Sequence, residues 1–327
     1  MSREPAAFPA IRGTGGRDKP ATSIIMPCFN AADYVGEAIA SVFAQSDPDF
    51  ELIVVDDGST DASPSILSEQ QRLRGDRLRV LSQTNRGPFP ARNLALGVAR
   101  GEYVTFLDAD DWWHPEFLAK MRSALRTSGA ELAYCGWHIV GSTTLKPFIP
   151  PPYEGDGLLA ALLSGCPLTV HSVLLERSLI QAVNGFSTRY FSAMDVDLWL
   201  RIALRAGRLV RVPEVLAFYR YRESGQISSV KWRQALDAYR VRRDFVRNHP
   251  QLAERFGKKR LDALIKKALH DIAYEAYWKR DIDSSQPLFR KLLQLGIWSP
   301  RDLKYLLPSL APGPLYKRLL ERRDNRA

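Results

Sequence analysis

Leu52-Ile53-Val54-Val55-Asp56-Asp57-Gly58-Ser59-Thr60-Asp61 is a run of four apolar residues, a pair of carboxylates, and a turn rich in helix-capping side chains. An apolar run with no polar alternation suits a strand covered on both faces, as in the centre of a parallel sheet. It predicts a strand over 51–55 and, after the turn, a helix over 63–74. Outward from it the alternation repeats. Apolar runs at 22–26, 79–82, 103–107 and 131–135 read as buried strands, and 33–45, 90–99 and 115–127 read as helices. In the first of these helices Val35, Ile39, Val42 and Phe43 recur at helical spacing. Strand–helix alternation implies an α/β fold, a mostly parallel sheet with helices on its faces. Ligands of such sheets bind beyond the carboxyl ends of the strands, so the residues there decide the chemistry.

The first strand ends in Met26-Pro27-Cys28-Phe29-Asn30. A proline stops ladder pairing and turns the chain outward. Phe29 is then either a rim residue able to stack on a base or part of the core. At the second strand end, Asp56 and Asp57 are placed to accept hydrogen bonds from a ribose hydroxyl or a base N–H, or to serve the turn, while Asp61 reads as a cap. The fourth strand runs into Phe106-Leu107-Asp108-Ala109-Asp110-Asp111. Three carboxylates in four positions repel one another. Either they form a solvated acidic turn or a divalent cation relieves them, and hard oxygen donors suit Mg²⁺ or Mn²⁺. Trp112 and Trp113 follow, as stacking faces for a sugar or as core.

Pro147, Pro150, Pro151 and Pro152 mark a break, after which 158–163 reads as a short helix, 170–175 as an apolar segment and 195–206 as a helix. From Trp232 the chain reads as helical, with Leu261, Leu264, Ile265, Ala268, Leu269, Ile272, Ala273, Ala276 and Tyr277 on one stripe. Ser299-Pro300 suits an N-cap followed by proline at the first helical position. The glycines at 13–16 follow no strand and do not make a phosphate loop. Residues 1–20 read as a flexible leader without the apolar stretch of a secretory signal.

The 327 residues carry 45% hydrophobic and 25% charged side chains, which argues against global disorder. The formal charge of +10 is uneven. Residues 230–327 hold 23 basic and 11 acidic side chains, whereas residues 1–229 hold 23 and 25. Cys28, Cys135 and Cys166 form no C-x-x-C pair, so neither a disulfide framework nor a zinc site is expected, and a reducing compartment fits. No run of about 18 apolar residues is present, so no transmembrane helix is expected.

Taken together, these motifs resemble the inverting glycosyltransferases of family 2, whose fold is the GT-A, Rossmann-like, nucleotide-diphospho-sugar transferase fold. The resemblance runs through Ser23-Ile24-Ile25-Met26-Pro27-Cys28-Phe29-Asn30, through 52–61, through Asn85-Arg86-Gly87-Pro88 with Ala91-Arg92-Asn93, and through Gly101 to Asp111. It implies a GT-A domain over 21–228, with a donor half of about 21–135 and an acceptor half of about 136–228. A basic α-helical region follows over 229–327.

By the same resemblance Asp56 reads the base, Pro27 and Phe29 line its pocket, and Asp108 and Asp110 form the D-x-D pair, Asp110 touching the metal directly. Arg92 approaches the donor sugar or phosphates. Met194-Asp195-Val196-Asp197-Leu198-Trp199-Leu200-Arg201 resembles the family's E-D-x-D-L-x-L-R stretch, which makes Asp195 the catalytic base. Independently, Asp195 opens a helical pattern, where the helix N-terminus favours a carboxylate. Met194 stands where Glu is common. Arg222 stands near where relatives have a histidine, and its guanidinium suits diphosphate oxygens. His171, Trp113 and Trp199 are placed on the acceptor side.

The implied reaction moves a sugar from a nucleoside-diphosphate sugar, a UDP-sugar foremost, to a glycan or lipid-linked acceptor with inversion, assisted by Mg²⁺ or Mn²⁺, in cell-surface glycan assembly. The absence of a Q-x-x-R-W sequence favours single addition over processive synthesis. The expected location is cytoplasmic, with the basic region a platform for the anionic inner face of the membrane or else a solvated bundle. Two other classes compete. A sugar-phosphate nucleotidyltransferase would show a glycine-rich basic signature near the first strand. A basic nucleic-acid-binding protein would leave the acidic clusters unexplained, and no nucleic-acid partner is expected.

Overall fold

A computed structural model describes residues 19–141, 146–221 and 230–324, with side chains as far as 320. The chain runs β1 (Thr22–Cys28), α1 (Val35–Phe43), β2 (Phe50–Asp56), α2 (Ser63–Arg74), β3 (Leu78–Ser82), α3 (Pro88–Val98), β4 (Tyr103–Phe106) and β5 (Trp112–Trp113). It continues through α4 (Phe117–Ser128), β6 (Leu132–Val140), α5 (Gly157–Ser164), β7 (Val173–Glu176), α6 (Arg177–Ala182), α7 (Met194–Ala203) and β8 (Leu209–Arg220). Six helices follow: α8 (Lys231–Asn248), α9 (Gln251–Phe256), α10 (Lys258–Trp278), α11 (Ile282–Leu295), α12 (Leu303–Leu306) and α13 (Gly313–Asp324).

These residues form two compact units. The first takes residues up to 159 with 166–189 and 198–221; the second takes 160–165, 190–197 and the chain from 230 on. In the first, one eight-stranded sheet runs in the order β3-β2-β1-β4-β7-β6-β8-β5. β1 pairs in parallel with β2 and β4, and β2 with β3. All seven residues of β1 and of β2 are buried, the expected state of strands covered on both faces. Val35, Ala38, Ile39 and Val42 of α1 and Phe117, Leu118, Met121 and Leu125 of α4 pack into the core with alternate strand residues Ile24, Met26, Leu52 and Val54.

The second half of the sheet is mixed. β7 runs antiparallel to β4 and β6, β8 runs parallel to β6, and the two-residue β5 runs antiparallel to β8. The expected segment over 170–175 divides into a 3₁₀ turn at Val170–Ser172 and β7. β8 has no counterpart in the sequence reading. Arg211, Pro213 and Glu214 break its apolar pattern, and the ladder with β6 shifts register around Gly136, where a bulge absorbs the irregularity.

The second unit is helical. The expected stripe on α10 is its inner face, with Leu261, Ile265, Ala268, Leu269, Ala273, Ala276 and Tyr277 buried. Tyr274, Tyr277, Trp278, Phe289 and Tyr305 form an aromatic cluster with ring centroids 5.0–5.9 Å apart. The cap expected at Ser299 is corrected. The helix starts at Leu303, and Asp302 is the acceptor, receiving the Ser299 N–H (2.6 Å), the Ser299 hydroxyl (2.8 Å) and the Tyr274 hydroxyl (2.6 Å). A carboxylate outcompetes a serine hydroxyl as acceptor. Burial opposes ionisation of Asp302, but these three donors prevail and pull it down to about 2.

A carboxyl held below its unfolded value of 3.8 stabilises the fold above that pH, and the contribution is lost as pH falls through about 2. Asp302→Asn is therefore expected to cost this unit about 2 kcal/mol at pH 7. Urea unfolding followed by tryptophan fluorescence measures it, and the gap between variant and parent should close toward pH 2. A gap independent of pH would contradict an ionised Asp302 as the acceptor of these bonds.

Candidate functional site

β1, β2 and β4 lie side by side and end on the same edge. Cys28 pairs with Asp56 across β1 and β2, and Ile25 with Phe106 across β1 and β4. Beyond the strands the ladder runs on for one bond on each side, Asp57 N–H to Cys28 O (2.8 Å) and Leu107 N–H to Ile25 O (3.0 Å). The loops after β1 and β2 are then laced together. Asn30, in the left-handed region at φ 47°, accepts the Thr60 N–H (2.8 Å) and donates its own N–H to the Ser59 hydroxyl (3.0 Å). Asp61 accepts the N–H groups of Ala32 and Ser63, the cap role read from the sequence. With Cys28, Asn30 and Ala32 fixed in this way, Phe29 stands on the rim 48% exposed, while Pro27 is buried in the strand.

The two adjacent carboxylates after β2 differ in what they hold. Asp57 is saturated, accepting from the Gln83 amide (2.6 Å) and from the backbone N–H groups of Arg86 (2.9 Å) and Gly87 (2.8 Å). It is a structural clamp on the loop before α3. Asp56 spends one oxygen on the Ser59 N–H (3.0 Å) and is 7% exposed. Gly58 makes the turn possible: its φ is +76°, and a Cβ there would stand 2.9 Å from the Asn85 nitrogen.

The three carboxylates after β4 are not a free acidic cluster: the repulsion expected from sequence is present, and each of the three is tied differently. Asp108 forms a short ion pair with the Arg92 guanidinium, brought over by α3. Arg92 is 3% exposed, with the rings of Phe89 and Phe186 each 5.5 Å from its charge. Asn93 fixes Phe186 by a reciprocal pair of hydrogen bonds, its amide donating to the Phe186 carbonyl (2.7 Å) and accepting the Phe186 N–H (2.9 Å). Asp111 is 1% exposed; one oxygen accepts the Arg220 N–H (2.9 Å), and the other lies 3.3 Å from His171 Nδ1.

Neither of those facing atoms has another hydrogen-bond partner. Burial, then the charges of Asp108 and Asp110, hold Asp111 well above the ordinary carboxylate range. Burial takes His171 down to about 4, against the charge of Asp108 and with that of Arg92. Both directions favour the uncharged forms, a protonated Asp111 and a neutral His171.

Asp110 is half-exposed. Its carbonyl accepts from Arg220 Nε (3.1 Å), and the same guanidinium reaches Glu37 (2.6 Å) and lies against the rings of Trp112 (4.6 Å) and Tyr34 (5.3 Å). Arg220 was not singled out by sequence. It stands 110 residues from Asp110, and no spacing links them. Asp108 and Asp110 offer hard oxygen donors at one strand end. Among the described residues no group of three acidic, histidine or cysteine side chains surrounds one point. That donor set does not fit a resident, protein-only metal. It fits an ion that arrives with a diphosphate, since Mg²⁺ takes one or two carboxylates plus substrate phosphates.

The three residues expected on the acceptor side lie in the interior: His171 and Trp199 are 0% exposed and Trp113 is 2% exposed. Trp113 stacks on Phe117 and donates to the His171 carbonyl (2.7 Å), so it is core, and Trp112 is stacked on Phe218. Arg222 lies outside the described residues.

Asp195 belongs to the second unit, on the first turn of α7. From Ser192 to Leu200 every residue is buried except Asp195, which is partly exposed. Met194, at the position where the motif's pattern has Glu, is 0% exposed. Ala193 ahead of it has φ 59°, a left-handed conformation that costs an L-residue free energy.

A family model described as "Glycosyl transferase family 2" matches residues 23–158. TuaG of Bacillus subtilis (strain 168), named for teichuronic acid biosynthesis, is 34% identical over 236 residues, 71% of this chain and 90% of that protein. WfaP of Escherichia coli is 27% identical over 216 residues, 65% of this chain and 82% of its own. It is named as a UDP-Glc:α-D-GlcNAc-diphosphoundecaprenol β-1,3-glucosyltransferase. Among solved structures, TarS of S. aureus (residues 1–349, in complex with UDP-GlcNAc) superimposes with a TM-score of 0.61 at 20% identity, covering 93% of this chain and 91% of that one. That likeness is one of fold, the GT-A arrangement the motifs imply.

Proposed function

The chain belongs to glycosyl transferase family 2, and from that membership we propose that it transfers a sugar from a nucleoside-diphosphate sugar to an acceptor hydroxyl, with inversion, in cell-surface glycan assembly. The observation that carries the donor half is the shared edge of β1, β2 and β4, where Phe29, Asp56, Asp108 and Asp110 stand at the carboxyl ends of adjacent parallel strands. Phe29 stacks on the base, Pro27 backs it, and Asp56 accepts a base N–H. Asp110, with Asp108, would hold Mg²⁺ or Mn²⁺ beside the donor's diphosphate, where such an ion would offset charge growing on the leaving group. Arg92 holds the Asp108 carboxylate in place through its ion pair, and Arg220 fixes the backbone at Asp110. Asp195 takes the proton of the attacking hydroxyl as general base. Arg222 is assigned to the diphosphate on sequence alone.

The relatives' names support an acceptor carried on a lipid diphosphate or a growing wall polymer, and a UDP-sugar as the first donor to test. No helix among the described residues is long and apolar enough to cross a membrane. The basic helices are assigned to an anionic leaflet. Leu307, Leu310, Leu315 and Leu319, 38–60% exposed, lie among Lys304, Lys317 and Arg318. A nucleotide-release screen over UDP-, GDP- and dTDP-sugars tests the whole reading, run with and without Mn²⁺ and with and without phosphatidylglycerol vesicles. The expected result is release from one donor class, suppressed by chelation, from protein that co-sediments with the anionic vesicles and not with neutral ones. Release indifferent to chelator would remove the metal from the mechanism.

A further inference from the structure

Phe191 is 72% exposed, the most exposed of the large hydrophobic side chains in the described residues. Leaving a phenylalanine in water forfeits the free energy of its burial, and chance loop geometry does not explain this one, because both neighbours are tied down. The Tyr190 hydroxyl donates to Asp244 and the Ser192 hydroxyl to Asp237 (2.8 Å), both acceptors lying on α8 and both buried. Ser192 is 3% exposed, and Ala193, 4% exposed, turns the chain through its left-handed conformation into α7. Inward anchors on either side of a single residue leave its side chain one direction, outward. The ring is held out on a rigid strut.

Four residues later comes Asp195, in the same unit and the one partly exposed position between Ser192 and Leu200. Four residues span at most about 14 Å from Cα to Cα, and the turn at Ala193 shortens that, so the ring and the carboxylate are carried by one short segment of the same unit. We propose that Phe191 is an acceptor subsite, its ring stacking on the apolar C–H face of the pyranose whose hydroxyl, or whose neighbour's hydroxyl, is presented to Asp195. A rigid aromatic ring supplies contact area at little ordering cost, and a few polar groups beside it fix orientation. This inference rests on Asp195 being the base of the reaction proposed above.

The test reads binding without any donor. Saturation-transfer NMR is recorded for methyl α-glucopyranoside, methyl α-mannopyranoside and methyl N-acetyl-α-glucosaminide, with glucitol as the acyclic control, on the full chain and on Phe191→Ser and Phe191→Trp. Transfer to the pyranosides and not to glucitol is expected in the parent. It should weaken roughly three- to tenfold in Phe191→Ser and persist in Phe191→Trp. Nucleotide release with water as acceptor should be unchanged in both variants. Equal transfer in the parent and Phe191→Ser, or equal transfer to glucitol, overturns the subsite. So does a Phe191→Ser protein that keeps its pyranoside signal but loses vesicle binding, which would make the ring a lipid contact. A failure of the reaction itself registers separately, as a parent that binds pyranosides but releases no nucleotide.

Discussion

Asp195→Asn is expected to lower sugar transfer by about 10²- to 10⁴-fold, the usual worth of a positioned general base, and to leave the affinity for the nucleotide-sugar unchanged. Asparagine keeps the size and the hydrogen-bonding shape of the side chain on the first turn of α7 but cannot accept the proton. Asp197, on the same turn, is 4% exposed and serves as the natural comparison for a carboxylate buried in structure. Transfer measured at saturating donor, alongside donor titration by calorimetry, separates the two effects. A variant with parental turnover would take Asp195 out of the chemistry, and one that lost donor affinity in proportion to rate would make it a binding group.

Asp110→Asn is expected to raise the Mn²⁺ concentration needed for half-maximal turnover at least about tenfold and to lower turnover at saturating donor by about 10²- to 10³-fold. Asp110 is the informative member of its cluster. Changing Asp108 also releases the buried Arg92 from its ion pair, and changing Asp111 leaves His171 facing an altered partner in the interior. Either would mix a loss of packing with a loss of metal. Asp110 is half-exposed and is fixed through its backbone by Arg220, so its side chain can be altered with the loop in place. A Mn²⁺ titration that coincides with the parent's would show that the ion, if used, is held elsewhere.

The donor half of the sheet was legible because its signals are local. Short, mostly apolar runs closed by proline or aspartate predict buried strands, and β1, β2 and β4 follow them within about two residues. The capping role of Asp61 was legible for the same reason. What sequence did not carry is pairing between distant residues. Asp108, Asp110 and Asp111 look alike in a row, and only the fold shows that one meets Arg92, one is tethered by Arg220 at its carbonyl, and one meets His171 in a dry interior.

The burial of His171 and Trp199 was not legible either, since a side chain able to touch a ligand looks the same in sequence inside or outside the core. β8 was hidden by Pro213 and its charged neighbours, because a strand that bulges against its partner need not alternate. Phe191 gave no signal at all, since one exposed aromatic in a loop is unremarkable until its neighbours are seen to be pinned.

The most direct test of the donor site is a crystal structure with UDP and Mn²⁺, using the anomalous signal of manganese. The account predicts the uracil ring against Phe29 with a ring N–H on Asp56, and a manganese peak bonded to Asp110 and to both phosphates. A nucleotide seated away from the ends of β1, β2 and β4, or manganese bound without Asp108 or Asp110, would contradict it.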